Sequence, residues 1–261
     1  VLELLTIKLQ QMTTESTDLE NTTTPAITYS ECYRLPFLSL FHADCMEIMK
    51  QYPDKYFDLA IVDPPYGIEL SMYRPYLKKD RSAEYNKRQL ENKKYEQKEW
   101  DIKPDKEYFE TLFRVSKNQI ICGAYMFTDI LPISKSWFVW DKKISNEATF
   151  SPVDLFWTSF TCGMKNYSKS PLAETRGGKD RIHPTQKPTG LYDFILKQYA
   201  TEGMKILDTH FGSGSIALAV DKANRLDKMN LHLTACEIDK EYIDKAINRI
   251  EQYTRQGTLS F

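Results

Sequence analysis

The chain has 261 residues, a formal net charge of −1 and a pI near 6.5. At roughly 100–200 residues per domain, this length indicates one large domain, with or without an insertion. The balanced charge excludes a globally basic surface, so contacts with nucleic acid are expected only from local patches. Five scattered cysteines without a C-x-x-C pair indicate reduced thiols in a cytoplasmic protein, and no metal site is predicted. No apolar run approaches the roughly 20 residues of a membrane span, so no membrane partner is expected.

Apolar segments of strand length alternate with segments of helical spacing from residue 38 onward, after a polar tail predicted at 1–34. The predicted strands are 38–44, 57–63, 118–127, 136–143, 152–160, 204–208 and 231–239. The predicted helices are 45–52, 106–117, 191–200, 216–226 and 241–253. This alternation predicts an α/β domain at 35–261, built around a mostly parallel sheet.

Two irregular, charged segments interrupt this pattern. Residues 70–106 form a long charged insertion with interleaved aromatic residues, and residues 163–182 are rich in glycine, lysine and arginine without periodicity. We predict a loop for each segment. For the first, a solvated charged helix is the alternative.

The stretch ILDTHFGSGSIALA predicts a strand, a turn with two glycines and a helix. The spacing Gly212-x-Gly214-x-x-Ala217 fits the G-x-G-x-x-G/A pattern, which lets the backbone approach a nucleotide ligand. Glu237 ends the next strand, where an acid can accept hydrogen bonds from ribose hydroxyls. Asp208 would repel a pyrophosphate, which favours the amine-bearing S-adenosyl-L-methionine over a dinucleotide. The alternative is a plain strand-to-helix turn with a surface glutamate.

The stretch LAIVDPPYGIEL predicts a buried strand that stops abruptly, because proline cannot donate to a sheet ladder. Asp63 offers two acceptor oxygens, and the prolines leave carbonyls as the local polar groups. Together they suit an exocyclic –NH2 group, held by both hydrogens so that its lone pair faces a methyl donor. Tyr66 offers a ring face to an extruded base. The alternative is a proline-punctuated strand end with a core tyrosine.

The two motifs together strongly resemble those of the DNA amino-methyltransferases, which act on adenine N6 or cytosine N4. The DPPY motif precedes the glycine loop, and this order resembles the permuted β group of that family. The segments RIHPTQKPTGLYDFIL and ACEIDKEYIDKAINRI are similar to its cofactor-binding segments. The resemblance covers about 38–252 and makes 35–261 a methyltransferase catalytic domain. It implies a Rossmann-like S-adenosylmethionine-dependent methyltransferase fold with a seven-stranded sheet and circularly permuted motif order.

The resemblance also implies the functional residues. Asp63 and the Pro64 carbonyl would hold the target amino group, with Pro65 completing the turn and Tyr66 stacking on the flipped base. The cofactor-binding residues that it implies are Asp44, Asp63, Thr185, Gln186, Lys187, Asp208, Phe211, Gly212, Ser213, Gly214, Ser215, Glu237 and Ile238.

Within this set the resemblance assigns different parts of the cofactor. Asp208 would bind the α-ammonium group, and Glu237 would bind the ribose. Ile238 would pack on the adenine ring and Asp44 would lie near its amino group. Lys187 would meet the methionine carboxylate, with a solvated lysine as the alternative.

The glycine loop departs from the common family pattern D-P-F-x-G-S-G-T, because Thr209 and His210 replace Pro and Phe, and Ser215 replaces Thr. We expect His210 to pack rather than to abstract a proton. The amine becomes strongly acidic after methyl attack, so the reaction needs no dedicated base.

The aspartate at the first DPPY position is typical of adenine-N6 enzymes, so adenine is the predicted target and cytosine N4 the alternative. The resemblance implies double-stranded DNA as substrate, with a homodimer and a cognate restriction endonuclease as further partners. The basic residues of the two irregular segments are predicted to contact DNA. They are Arg74, Lys78, Lys79, Arg81, Lys165, Lys169, Arg176, Lys179 and Arg181.

Two other functions compete with this interpretation. A nucleotide-dependent oxidoreductase would account for the glycine loop and Glu237, but it leaves the DPPY and HPTQKP stretches unexplained. A catalytically silent DNA-binding relative is disfavoured by the intact DPPY motif.

Overall fold

The computed structural model describes residues 28–67, 101–146, 151–174, 181–183 and 185–258. Within these ranges the strands are β1 Tyr33–Leu35, β2 Leu38–His42, β3 Phe57–Val62, β4 Ser116–Ile121, β5 Trp137–Asp141, β6 Val153–Thr158, β7 Lys165–Ser168, β8 Lys205–Asp208 and β9 His232–Glu237. The helices are α1 Cys45–Met49, α2 Lys106–Val115, α3 Thr189–Tyr199, α4 Ser215–Asp227 and α5 Lys240–Thr258, with a 3₁₀ turn at Ala124–Phe127.

The described strands form one sheet in the order β1-β2-β9-β8-β3-β4-β6-β5-β7. Its centre, from β2 to β4, is parallel, whereas β6 runs antiparallel to both β4 and β5 and β1 runs antiparallel to β2. The predicted α/β class with a mostly parallel sheet is therefore confirmed.

The prediction of seven strands is wrong, because the structure adds β1 and β7 at the two edges of the sheet. Both are short and carry alternating half-buried and exposed side chains, so their sequences lack the apolar run that marks a central strand. β7 lies inside the segment 163–182, which was predicted as a loop. β1 crosses the boundary predicted between residues 34 and 35.

Two other predicted elements have different ends. The helix predicted at 106–117 stops at Val115, because Ser116 opens β4 and pairs with Phe57 of β3. The strand predicted at 118–127 stops at Ile121, because Gly123 turns the chain with a φ of +59°.

Both faces of the sheet are covered, as β3 shows most clearly. Leu59 and Ile61 pack into the cluster formed with α3, α4 and α5, whereas Ala60 and Val62 pack with α1 and α2 on the other face. The sequence of such a central parallel strand is therefore a nearly continuous run of apolar residues. No helix within the described ranges has the length and apolar character needed to cross a bilayer.

The sheet order determines where a site can form. β2, β9, β8 and β3 are parallel neighbours, so their carboxyl ends meet at one edge of the sheet. Ligands of doubly wound α/β folds bind at such an edge. Both the DPPY turn and the glycine loop begin there.

Candidate active site

A cavity of about 520 Å³ lies at this edge of the sheet. Its volume falls within the roughly 300–1,000 Å³ of small-molecule sites. The predicted site residues that line it are Asp44, Asp63, Pro64, Pro65, Tyr66, Thr185, Gln186, Lys187, Phe211, Gly212, Ser213, Glu237 and Ile238. The structure thus brings together two motifs that are far apart in sequence.

The DPPY turn places its aspartate between two side-chain donors. The Tyr66 hydroxyl donates to Asp63 Oδ1 at 2.6 Å, and the Lys187 ammonium donates to Asp63 Oδ2. The Tyr66 ring lies over Gly123, since a Cβ built on that glycine would come within 2.4 Å of ring atoms. Tyr66 is therefore held by its hydroxyl and by its ring, while the DPPY turn itself borders the cavity.

Lys187 is a buried cation, with 5% of its surface exposed. Burial is the largest single influence and lowers its pKa, but the neighbouring groups, Asp63 foremost, together raise it above its ordinary value, so the side chain stays protonated. The predicted alternative of a solvated lysine is wrong, because the ammonium is enclosed and paired.

The glycine loop is organised by main-chain hydrogen bonds. Gly212 and Gly214 have φ values of +50° and +68°, which favour glycine. The Gly212 amide donates to Glu237 Oε2 at 2.8 Å, and the Asp239 amide donates to Oε1 at 2.9 Å. Burial raises the pKa of Glu237, although these amides oppose the shift.

Three predicted cofactor residues lie behind the cavity wall. Asp208 is 3% exposed, and its Oδ1 accepts a hydrogen bond from the His210 amide at 3.0 Å. Burial raises the pKa of Asp208 to about 7. Gly214 is the N-cap of α4, and the Ser215 hydroxyl donates to the Lys187 carbonyl at 2.8 Å. None of the three is among the residues that line the cavity.

A polar chain connects α2 to the glycine loop. The Tyr108 hydroxyl lies 2.7 Å from Thr209 Oγ1, which lies 2.9 Å from His210 Nδ1. Burial lowers the pKa of His210 to about 4, so the imidazole is neutral at physiological pH. His210 also packs edge-on against the Tyr108 ring, with 5.6 Å between ring centroids, in keeping with the predicted packing role.

The opposite wall comes from β2 and β9. Asp44 caps α1 by accepting a hydrogen bond from the Met46 amide at 2.7 Å. Ile238 is 54% exposed at the cavity, and its carbonyl lies 3.1 Å from His42 Nε2. An exposed apolar side chain and a carboxylate that line the same cavity suit a planar ring with a polar edge.

The predicted DNA contacts are covered only in part. Arg74, Lys78, Lys79, Arg81, Arg176 and Lys179 lie outside the described residues. Lys165 lies on β7, and Arg181 is half-buried. Lys169 forms an ion pair with Glu174.

Sequence reasoning missed several residues of this site. Tyr108 lies one helical turn before Leu112 and its hydroxyl is buried, but apolar spacing alone marks it only as a core residue. Gly123 falls inside the strand predicted at 118–127, and the sequence gives no signal of its contact with Tyr66. Ile102 and Lys103 also line the cavity and lie in the charged segment.

Comparison with known proteins identifies the class. A model of the DNA methylase family, of the N6/N4 group, matches residues 72–248. The chain therefore belongs to the DNA methylase family, as its motifs predicted.

Individual relatives are more distant. The chain is 35% identical to the type II methyltransferase M.HpaI of Haemophilus parainfluenzae over 69 residues, which is 26% of this chain and 20% of that protein. The match thus spans about a fifth of that relative's length.

A solved structure shares the fold, and a second is reported with it. The structure of the M1.HpyAVI–SAM complex superposes with a TM-score of 0.50 and 20% identity, over 82% of this chain and 98% of that chain. The cytosine-N4-specific PvuII DNA methyltransferase gives a TM-score of 0.49 and 14% identity, over 88% of this chain and 93% of that chain.

Proposed function

We propose that this protein transfers a methyl group from S-adenosyl-L-methionine to the exocyclic N6 amino group of adenine in double-stranded DNA. The observation that carries this proposal is that Asp63 and Glu237 face one cavity from neighbouring parts of the same sheet edge. One acid suits an amino group and the other suits a ribose. Membership of the DNA methylase family supports the same reaction and gives no support to an oxidoreductase.

The residues present fit this cofactor. Glu237 is buried, with both oxygens held by amides that leave lone pairs for ribose hydroxyls. Gly212 keeps the loop backbone at the cavity wall, where a ligand can approach closely. When bound, S-adenosyl-L-methionine supplies an electrophilic methyl group on a sulfonium.

The chain's own residues prepare the acceptor nitrogen. Asp63 and the Pro64 carbonyl accept the two amino hydrogens, which turns the nitrogen lone pair toward the methyl donor. As the N–CH3 bond forms and the S–CH3 bond breaks, the nitrogen becomes cationic. Asp63 stabilises this charge and lies where the departing proton can be accepted.

The preference for adenine rests on the aspartate of the DPPY motif. The predicted homodimer, restriction endonuclease partner and cytoplasmic location stay predictions. Base flipping is proposed because an amino group paired inside a duplex does not reach a cavity at the sheet edge.

A labelling experiment tests the proposal. The protein is incubated with unmethylated double-stranded DNA and S-adenosyl-L-methionine carrying a labelled methyl group, and the DNA is digested to nucleosides. We expect label in N6-methyladenine. Label in N4-methylcytosine would contradict the choice of base, and no label in DNA despite cofactor binding would contradict DNA as the substrate.

A further inference from the structure

Lys187 has a different neighbour from the one that the resemblance implied. Its ammonium donates to Asp63 Oδ2, 124 positions away in the sequence, while the Tyr66 hydroxyl donates to Oδ1. Each oxygen of the proposed catalytic carboxylate therefore already has one donor. A carboxylate has about four lone-pair positions, so a target amino group still finds an acceptor beside these two donors.

The fold fixes the lysine in this position from its backbone. The Lys187 carbonyl accepts a hydrogen bond from the Ser215 hydroxyl at 2.8 Å, and Arg249 donates to that same hydroxyl at 2.8 Å. The preceding Gln186 is buried, and its side-chain oxygen accepts the Ile182 amide at 3.0 Å. The segment is thus anchored on both sides of the ammonium.

The charged groups around Lys187 favour a role for its ammonium as the counter-ion of acidic side chains of this chain. After the opposing effect of burial, Asp63 is the largest influence that raises the pKa of Lys187, and the buried Asp154 of β6 raises it further. A buried charge is tolerated when it is paired in this way. An ammonium already directed at Asp63 is poorly placed to serve the carboxylate of a ligand as well.

We propose that Lys187 is a positioning residue for methyl transfer, which together with Tyr66 holds the Asp63 carboxylate in one orientation, rather than a ligand of the cofactor carboxylate. This inference rests on the proposed function. Without the lysine, the carboxylate would keep one donor and could rotate away from the target amino group. The effect is therefore expected on the rate of transfer and not on cofactor affinity.

The first test compares Lys187→Met and Lys187→Arg with the control Lys222→Met, which removes a lysine paired with Asp193 at the surface of α4. Cofactor affinity is measured by calorimetry without DNA, and kcat and KM are measured with saturating DNA. We expect Lys187→Met to lower kcat by about 100-fold, with cofactor Kd changed less than about threefold. Lys187→Arg should recover about tenfold, because a guanidinium also donates to carboxylates.

Opposite results would overturn the proposal. If Lys187→Met weakens cofactor Kd about tenfold or more and retains kcat at saturation, Lys187 is a ligand of the cofactor carboxylate. Unchanged kcat and Kd would assign it no role. If Lys187→Met does not fold, as judged by thermal unfolding, Lys187→Gln replaces it in the same comparison.

A spectroscopic test is independent of DNA methylation. In protein with ¹⁵N-labelled lysine, the ammonium resonance of Lys187 is assigned by its loss in Lys187→Gln. We expect this resonance to shift in Asp63→Asn and to stay in place when S-adenosyl-L-methionine is added. A resonance that moves with cofactor and ignores Asp63→Asn would refute the pairing, whether or not the protein methylates DNA.

Discussion

The ends of the neighbouring strands β3 and β8 lead into two loops that hold acids in different ways. At the DPPY turn, the oxygens of Asp63 are bonded by the side chains of Tyr66 and Lys187. Beside the glycine loop, the oxygens of Glu237 are bonded by main-chain amides. One acid thus depends on side-chain donors, whereas the other depends on main-chain amides.

This difference indicates which half of the site, the DPPY turn or the glycine loop, tolerates substitution better. Main-chain donors persist when side chains change, so the glycine-loop half is preorganised by the fold itself. The DPPY half is exposed to single substitutions, since a buried ion pair that loses one partner leaves a buried charge. Substitutions in the two halves should therefore differ in their effects on transfer, stability and cofactor affinity.

The largest effect is expected at Asp63. Asp63→Asn should lower the methyl-transfer rate by about 1,000-fold, because an amide neither carries the charge nor accepts at both positions. Asp63→Ala should also cost about 3–5 kcal/mol of folding free energy, since it leaves Lys187 buried without its partner. Transfer is measured with labelled cofactor and stability by denaturant unfolding.

A double variant separates these two effects. Asp63→Ala combined with Lys187→Met should regain most of the lost stability and none of the activity. Asp54→Asn is the matched control, because this acid is exposed and pairs with Arg114 away from the cavity. Wild-type turnover in Asp63→Asn would remove the aspartate from the reaction.

Asp208 tests a second acid on the glycine-loop side, whose Oδ1 accepts a hydrogen bond from the His210 amide. Its pKa is raised to about 7 by burial, with further contributions from Asp63 and Glu237. Because the folded state binds the proton of Asp208 more tightly than the unfolded state, the proton contributes stability in full below the unfolded pKa of 3.8. This contribution is lost as the pH rises to about 7. Asp208→Asn should therefore gain stability relative to wild type across this interval, on the order of 2–4 kcal/mol.

The measurement is denaturant unfolding of both proteins from pH 4 to pH 8. The asparagine oxygen can still accept the His210 amide, so the comparison isolates the charge. A stability difference that does not vary with pH would show that Asp208 is not the titrating group. Loss of cofactor affinity in Asp208→Asn would support its assignment to the α-ammonium group.

Gly123→Ala tests whether close packing on Gly123 holds the Tyr66 ring in place. The new methyl group would lie 2.4 Å from the Tyr66 ring, so the ring must move and its hydroxyl must leave Asp63. We expect transfer to fall by about 30-fold, the equivalent of roughly 2 kcal/mol from a lost charge-assisted hydrogen bond. Cofactor affinity should stay unchanged.

Gly203→Ala is the control for this variant. Gly203 also has a positive φ, of +78°, but nothing lies within 4 Å of its built Cβ. Both alanine variants carry similar backbone strain, and only Gly123→Ala should lose transfer. Equal activity losses in the two would attribute the effect to strain alone.

The smallest effect is expected for Glu237→Gln. The amide keeps one acceptor oxygen but turns an NH2 group toward the amide of Gly212 or Asp239, so one main-chain donor loses its partner. We expect cofactor Kd to weaken by about tenfold. Calorimetry measures the affinity, and Glu241→Gln on the surface of α5 is the control. An unchanged Kd would contradict the ribose assignment.

The central fold was predictable from sequence because its strands are apolar on both faces. The run from Phe57 to Val62 is apolar at every position except Asp58, a pattern typical of a parallel strand covered on both faces. The edge strands β1 and β7 were missed, since a short strand with polar side chains has no periodic signal that distinguishes it from a loop. Their pairing is decided by the neighbouring strands.

The sequence predicts the motifs of the site but not the hydrogen bonds and ion pairs that connect them. Local sequence gives the DPPY turn and the glycine loop, because turn chemistry is a property of adjacent residues. The pairing of Asp63 with Lys187 spans 124 positions and depends on the tertiary fold, which no local sequence pattern reveals. Asp208 was likewise predicted to bind the cofactor, whereas in the structure it is 3% exposed and is not among the residues that line the cavity.

The strand β2 has a consequence for the order of events in synthesis. Its partner β9 lies near the other end of the domain, and His42 meets Ile238 from 196 positions away. At roughly 5–20 residues per second, a ribosome adds Ile238 about 10–40 seconds after His42. The nascent chain therefore lacks one wall of the cavity until β9 and the turn that follows it have emerged, so a partly synthesised chain cannot bind a ligand there with the full set of contacts.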